Sequence, residues 1–183
     1  MDFDDIAAAF CADQPFSTLL ADPKPQRGEF GGDATGAALS MLDNEWVGLN
    51  AVPIGPGSVR LDHLVFGPGG VFAINTRRHP GQAIWVARST FAVAGQRMPY
   101  IRSAEHDATR VRRLLGDALP GGVPVTPLIV LVGAGTVSVR QQPASVVVLD
   151  ARGLARWLRR QPAILDADAV STLADAVSVR ATA

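Results

Sequence analysis

Apolar positions along this chain change their period twice. Trp46–Ile54, Ser58–Phe66 and Val71–Thr76 are short runs rich in β-branched and aromatic residues, which predict three strands. Gly55-Pro56-Gly57 separates the first pair and Gly67-Pro68-Gly69-Gly70 the second. The latter is a hairpin signal, because glycine reaches the backbone angles of a tight turn. Two more short strands are expected near 83–88 and 90–94. From Ile101 the period lengthens. Ile101, Ala104, Ala108, Val111, Leu115 and Ala118 recur at intervals of three and four, one face of an amphipathic helix that ends before Pro120-Gly121-Gly122. Arg102, His106, Thr109, Arg110 and Arg113 fall on its other side.

Val125–Val132 is apolar on both faces and reads as a central strand. Thr136–Val139 and Ser145–Leu149 continue in strand pattern. Leu154, Trp157 and Leu158 mark a short helix stopped by Pro162, and Asp166 caps a last helix running to about Val177. Ahead of the strands, Thr35 is placed to cap a helix through Ala37, Leu39, Met41 and Leu42 to about Asn44. Residues 1–34, with Pro15, Pro23, Pro25 and glycines 28, 31 and 32, read as a short helical start and an irregular arm. The order of helix, antiparallel strands, helix, strands and helices predicts one mixed α/β (α+β) domain. The expected boundaries are an arm over 1–27 and a domain over 28–183, with its core at 35–133 and the last strand and helices at 137–179.

Composition narrows the function classes. A chain of 183 residues, 48% apolar with 17 basic and 17 acidic side chains, buries a real core and is not disordered. The zero net charge hides an asymmetry. Residues 1–45 hold nine acids against Lys24 and Arg27, whereas 77–113 hold eight arginines against Glu105 and Asp107. A cationic segment rich in planar guanidinium forks suits phosphate or carboxylate. The single cysteine, Cys11, forms no internal disulfide, and His63, His79 and His106 are too far apart in sequence to suggest zinc. The acidic N-terminus is unlike a secretory leader and no apolar run reaches membrane length, so the expectation is a cytoplasmic chain without membrane contact. Gly133-Ala134-Gly135 follows a strand but lacks the third glycine of a dinucleotide loop, and no Gly-x-Ser-x-Gly elbow occurs. No small-molecule cofactor is therefore expected.

Centring the turn on Gly67–Gly70 makes facing residues across the hairpin sum to 137. Asp62 then opposes Asn75 and Arg60 opposes Arg77, while His63 faces Ile74 on the alternate side. Opposed side chains sit about 4.5–5.5 Å apart at Cβ. This register predicts one polar cluster of Asp62, Asn75, Arg60 and Arg77 at the open end of the hairpin, with the other face on the core.

The stretch Leu61-Asp62-His63-Leu64-Val65-Phe66-Gly67-Pro68-Gly69-Gly70-Val71-Phe72-Ala73-Ile74-Asn75-Thr76-Arg77 resembles the NERD (nuclease-related) domain. That family carries an Asp-His step, a Gly/Pro turn and a Glu-x-Lys at the end of the next strand, and is placed in the PD-(D/E)xK nuclease superfamily. The resemblance extends from about Gly28 through Pro99-Tyr100 and the following helix. It implies a restriction-endonuclease-like core, a central mixed sheet with an antiparallel hairpin flanked by helices. It also implies Mg²⁺ or Mn²⁺ held by an aspartate and a second acid against a scissile phosphate, with a lysine activating water.

Carried over by motif, the catalytic positions are Asp62, Asn75 and Arg77, with Asp62 the metal ligand. Four of the family's groups are replaced. Asn75 stands for the second acid and offers a neutral carbonyl. Arg77 stands for the lysine and does not deprotonate. The helical glutamate falls on Ala37 after Gly36, and a glutamine opening the later helix falls on Arg102. One carboxylate and one amide make a weak Mg²⁺ or Mn²⁺ site, which Glu29 or Asp33 in the arm could complete.

Three readings follow. The first is a nuclease-related protein that binds nucleic acid, DNA foremost, through Arg60, Arg77, Arg78, His79, Arg102 and Arg110, with weak or lost phosphodiesterase activity. The second is an active Mg²⁺- or Mn²⁺-dependent DNA nuclease using Asp62 and an acid from the arm. The third is a non-enzymatic domain binding a protein partner. Beside these stand plainer roles: Asp62 as a salt-bridged strand end, His63 as a satisfied core histidine, Asn75 as a structural hydrogen-bonding group, and Arg156, Arg159 and Arg160 as a wet helix face.

Overall fold

Alternating and continuous apolar runs pair here into two sheets. The structure, a computed structural model, describes residues 26–27, 33–55 and 59–180; the expectations for Cys11, Glu29, the Gly55-Pro56-Gly57 turn at 56–57 and most of the arm lie outside them. The main sheet is built from β1 (Gln26–Arg27), β2 (Val47–Pro53), β3 (Arg60–Gly67), β4 (Gly70–Arg78), β8 (Val125–Val132) and β10 (Val147–Asp150), in the order β1-β2-β3-β4-β8-β10. The first four strands are antiparallel neighbours, and β4, β8 and β10 run parallel. A smaller sheet has the order β7-β6-β5-β9, from β5 (Ala83–Ala87), β6 (Thr90–Val93), β7 (Gln96–Met98) and β9 (Thr136–Gln141). The helices are α1 (Ala34–Leu39), α2 (Tyr100–Leu115), α3 (Ala151–Arg159) and α4 (Ala167–Arg180). This is the mixed α/β architecture expected, a mixed sheet with its hairpin flanked by helices.

Three apolar clusters hold the layers together. On one face, Leu49, Leu64, Phe66, Val71 and Ala73 pack under Val111 and Leu115 of α2 and Leu173 and Val177 of α4. On the other, Val65, Phe72, Ile74, Leu128 and Val130 pack against Leu39 of α1 and Leu154 and Leu158 of α3. The small sheet presses Ile84, Val86 and Phe91 onto Ile101 and Ala104 of α2 and onto Ile129 and Leu131. Strand β8 thus feeds cores on both of its sides, as its uninterrupted apolar pattern requires.

The hairpin register is the one the turn dictated: His63 pairs with Ile74, Leu64 with Ala73 and Gly67 with Gly70. At the helix before it the structure differs. Asp33, not Thr35, is the cap, its Oδ1 accepting Gly36 N–H at 2.7 Å. Thr35 is fully buried and its hydroxyl accepts from Thr76 at 2.9 Å, so α1 is tied to the end of β4. The helix also ends at Leu39 rather than near Asn44. Strands β1 and β7, two and three residues long, are too short to leave a period in the sequence.

The Trp46 ring packs against the Gly67 backbone, where any Cβ would clash with the ring carbons Cε3, Cδ2 and Cζ3. Trp46 cannot retreat, because Phe72 packs at 5.9 Å and Phe72 meets Trp157 edge-on at 6.0 Å. Gly67→Ala is expected to destabilise the fold by about 1–3 kcal/mol through overpacking, read as a lowered thermal midpoint. An unchanged midpoint would show that the ring is free to move.

Candidate functional site

The geometry of the site begins with a fault in two paired strands. In β2, Leu49 and Val52 both enter the α2-facing core, although residues three apart in a regular strand point to opposite faces. In β3, Leu61 and Leu64 do the same. Between them sits Ala51, at φ 50, in the left-handed region. The pairing keeps its register on both sides of the fault, Asn50 with His63 and Val52 with Leu61. The facing phase therefore flips at Ala51 and Asp62 without a slip.

Asp62 is exposed at that flip, and its Oδ2 accepts the backbone N–H of Thr76 at 2.7 Å. Arg60 donates from Nη1 to the Ala51 carbonyl at 3.0 Å. Together they border a cleft of about 650 Å³ that Asp33, Asn50, His63, Thr76 and Arg78 also line. His63 is buried, and its Nδ1 lies 2.8 Å from Asn50 Oδ1. That oxygen only accepts, so Nδ1 carries the proton. Its Nε2 faces Asp33 Oδ1 at 3.8 Å. Burial holds the imidazole below the usual histidine range, against the opposing pull of Asp33 and Asp62, which keeps His63 neutral at pH 7.

Asn75 and Arg77 lie elsewhere. They alternate in phase with Val71 and Ala73, whereas Thr76 and Arg78 follow Phe72 and Ile74 toward α1. Asn75 is only 4% exposed, under α2. Its amide lies against Asp107, outside full hydrogen-bond geometry, so Nδ2 has no hydrogen-bond partner among the described residues. Burial pushes the Asp107 carboxyl above its usual range; the Asn75 amide, Arg110 and Arg77 pull it back in part. Arg110 Nη1 stands 3.4 Å from Asp107 Oδ1. The Arg77 guanidinium lies 4.7 Å over the Tyr100 ring, and His79 stacks on the same ring at 5.7 Å.

The expected cluster of Asp62, Asn75, Arg60 and Arg77 is therefore divided. Asp62 and Arg60 line the cleft, whereas Asn75 and Arg77 are covered by α2. The reason is the phase flip, since a hairpin register predicts shared faces only where alternation is unbroken. The cationic group is spread as well. Arg78 borders the cleft, Arg77 and His79 sit on Tyr100, Arg110 turns to Asp107, and Arg102 is exposed on the outer side of α2. Tyr100 and Asp107 were missed in the sequence. Their signal was present, for residues 100, 104, 107 and 111 form one helical stripe that turns a phenol and a carboxylate toward the core.

The donors present fit a divalent cation poorly. Among the described residues, no three His, Cys, Asp or Glu side chains gather as a metal-holding group. The Asp62 carboxylate is engaged by the Thr76 amide and Asp33 by the Gly36 amide, whereas Mg²⁺ demands an octahedron of oxygens. No hydrolytic step through a metal follows from this arrangement.

A family model described as nuclease-related domain matches residues 26–132, more than half of the chain. The chain belongs to the nuclease-related domain family. No curated protein matches it, and no solved structure does. The nuclease-related domain runs from β1 to the end of β8, so it contains the Asp62 cleft, the small sheet except β9, and all of α2. No helix among the described residues is long and apolar enough to cross a membrane.

Asn75→Asp tests what α2 tolerates. A second carboxylate would lie against Asp107, already raised by burial, and would be raised in turn. A carboxyl whose folded pKa exceeds its unfolded value favours the fold at low pH and loses that contribution as pH rises through the folded value. The variant is expected to lose about 1–3 kcal/mol at pH 7 and to recover most of it toward pH 4–5, measured by denaturant midpoints. A pH-independent loss would place the cost outside the Asp107 contact.

Proposed function

We propose that this nuclease-related domain binds nucleic acid through its cationic surface, with metal-dependent phosphodiester hydrolysis weak or lost. The observation that carries the reading is the cleft around Asp62, where Arg60 and Arg78 stand at the rim while the two carboxylates are engaged by backbone amides. A guanidinium at the mouth of an open cleft matches a phosphate oxygen pair. Arg77, Arg102 and Arg110 extend positive charge from the end of β4 along α2. Asn75, a neutral buried amide, supports binding over cutting, because it supplies no second charge for Mg²⁺ or Mn²⁺.

The test is a filter-binding titration on duplex and single-stranded DNA across a salt series. Each neutralised phosphate adds about 0.9 to the slope of log affinity against log salt for duplex. Arg78→Ala and Arg102→Ala are each expected to weaken binding on any sequence and to lower the slope by about 0.9. Affinity independent of salt would sink the proposal.

A second reading, an active nuclease, is favoured by one placement: Asp33 borders the same cleft as Asp62. Incubating DNA with Mg²⁺ or Mn²⁺ separates the two. Cleavage that Asp62→Ala abolishes supports the nuclease; a variant that cleaves as fast as the parent removes Asp62 from the chemistry.

A further inference from the structure

The small sheet has one face on the core and one face that nothing covers among the described residues. Its inner positions, Ile84, Val86, Phe91 and Val93, pack on α2 and β8. On the outer side stands Trp85, 43% exposed. Its lateral neighbours are small. Trp85 pairs with Ala92 on β6 and with Ser138 on β9, and Ala92 pairs in turn with Arg97 on β7. One row across the sheet thus reads Ser138, Trp85, Ala92, Arg97. With strands about 4.8 Å apart, the Arg97 backbone lies roughly 10 Å from that of Trp85. Small flanking residues leave the indole standing above its surroundings, beside a hollow of about 440 Å³ that Thr90, Ala92, Arg97, Thr136 and Ser138 help to line.

A single exposed apolar side chain is ordinary on a protein surface. Two further features separate this one from that background. The segments 83–98 and 136–141, which make up the whole small sheet, carry Arg88, Arg97 and Arg140 and no aspartate or glutamate. Arg88 shares a hollow with Glu105 of α2, whereas Arg97 and Arg140 are exposed, so the face carries a positive charge that suits a polyanion. The hollow beside the indole also exceeds what one aromatic ring fills, and both Trp85 and Arg97 line it. An occupant must offer flat π-faces and negative charge at a regular spacing. Acidic peptides supply the charge without the faces.

We infer that the outer face of the small sheet is a stacking platform for single-stranded nucleic acid, an unpaired base lying on Trp85 while Arg97 holds a neighbouring phosphate. Base–aromatic stacking tolerates any sequence because every base has a π-face, and a cationic track beside it follows the backbone. A duplex cannot use the platform, since its bases are already stacked and their faces covered. The inference rests on the nucleic-acid reading above and adds to it the form of strand recognised. It also adds a second surface, remote in sequence from Asp62.

The experiment compares a short oligothymidylate, an oligouridylate of equal length and a DNA hairpin duplex, read by tryptophan emission and by anisotropy of labelled strands. Of the three tryptophans, Trp46 is buried and Trp157 is half-buried against Phe72, so quenching by single strands reports Trp85. Trp85→Ala is expected to abolish the quenching and weaken single-strand affinity about 5- to 100-fold, with an unchanged thermal midpoint because the ring lies outside the core. Trp85→Phe keeps a stacking face and is expected to retain most of the affinity. Hairpin binding should be unaffected by either change. The thymidylate and uridylate arms tell whether the strand is DNA or RNA. If Trp85→Ala binds single strands as the parent does, while Arg78→Ala still weakens the hairpin, the platform is overturned and the face is left to a protein partner. A parent that binds none of the three probes overturns the platform together with the function on which it rests.

Discussion

One left-handed residue inside a strand organises the functional half of this molecule. A non-glycine residue at positive φ costs of order 1–3 kcal/mol, and Ala51 at φ 50 meets that cost where β2 faces β3. Two side chains offset it. Arg60 donates to the Ala51 carbonyl, and Asp62 accepts the Thr76 amide from the strand beyond. The fault also lets both ends of each strand reach one core, since Leu49 with Val52 and Leu61 with Leu64 all bury on the α2 side. What it leaves out is Asp62. A charged residue that strict alternation would have turned toward α2 is instead exposed at the mouth of a cleft.

The same fault explains why two polar groups of similar origin have different chemistry. On the cleft side, carboxylates are in contact with solvent and with backbone amides. Under α2, Asn75 and Asp107 meet in a half-closed space where burial is the dominant influence on the carboxyl. Two arginines approach Asp107 and only partly offset the upward push of burial, as expected where desolvation outweighs a pair of partly exposed partners. Tyr100 completes that side by holding Arg77 and His79 against one ring. A guanidinium held on an aromatic face stays charged and oriented but takes no part in proton transfer.

Much of the fold was legible before the structure. The Gly67–Gly70 turn set the hairpin register to the residue, because turn length fixes pairing. The intervals of three and four from Ile101 located α2, and the two-faced apolar run located β8 at 125–132. The site was less legible for a physical reason. Period-two reasoning assumes unbroken alternation, and nothing in an alanine announces a positive φ. Asp33 rather than Thr35 capped α1 because Thr35 was needed by Thr76 at the end of β4, a contact 41 residues distant in sequence. The outer face of the small sheet was hidden too, because Trp85 in a hydrophobic strand reads as core until the pairing shows which side it occupies.

The charge asymmetry takes on a physical meaning once the acids are located. Of the carboxylates near the cationic segment, Asp33 and Asp62 are bound to amides, Glu105 accepts from the Ser145 hydroxyl, and Asp107 sits on the inner side of α2 beside Arg110. Among the described residues, none of these four forms an ion pair with Arg78, Arg97, Arg102 or Arg140. A carboxylate held by a backbone amide still carries its charge, but its favourable orientation is spent inside the fold, and a divalent cation would have to compete for it. An exposed arginine loses nothing of the kind. The same number of acids and bases therefore leaves a locally cationic surface, since it is placement and not the total that sets the local field.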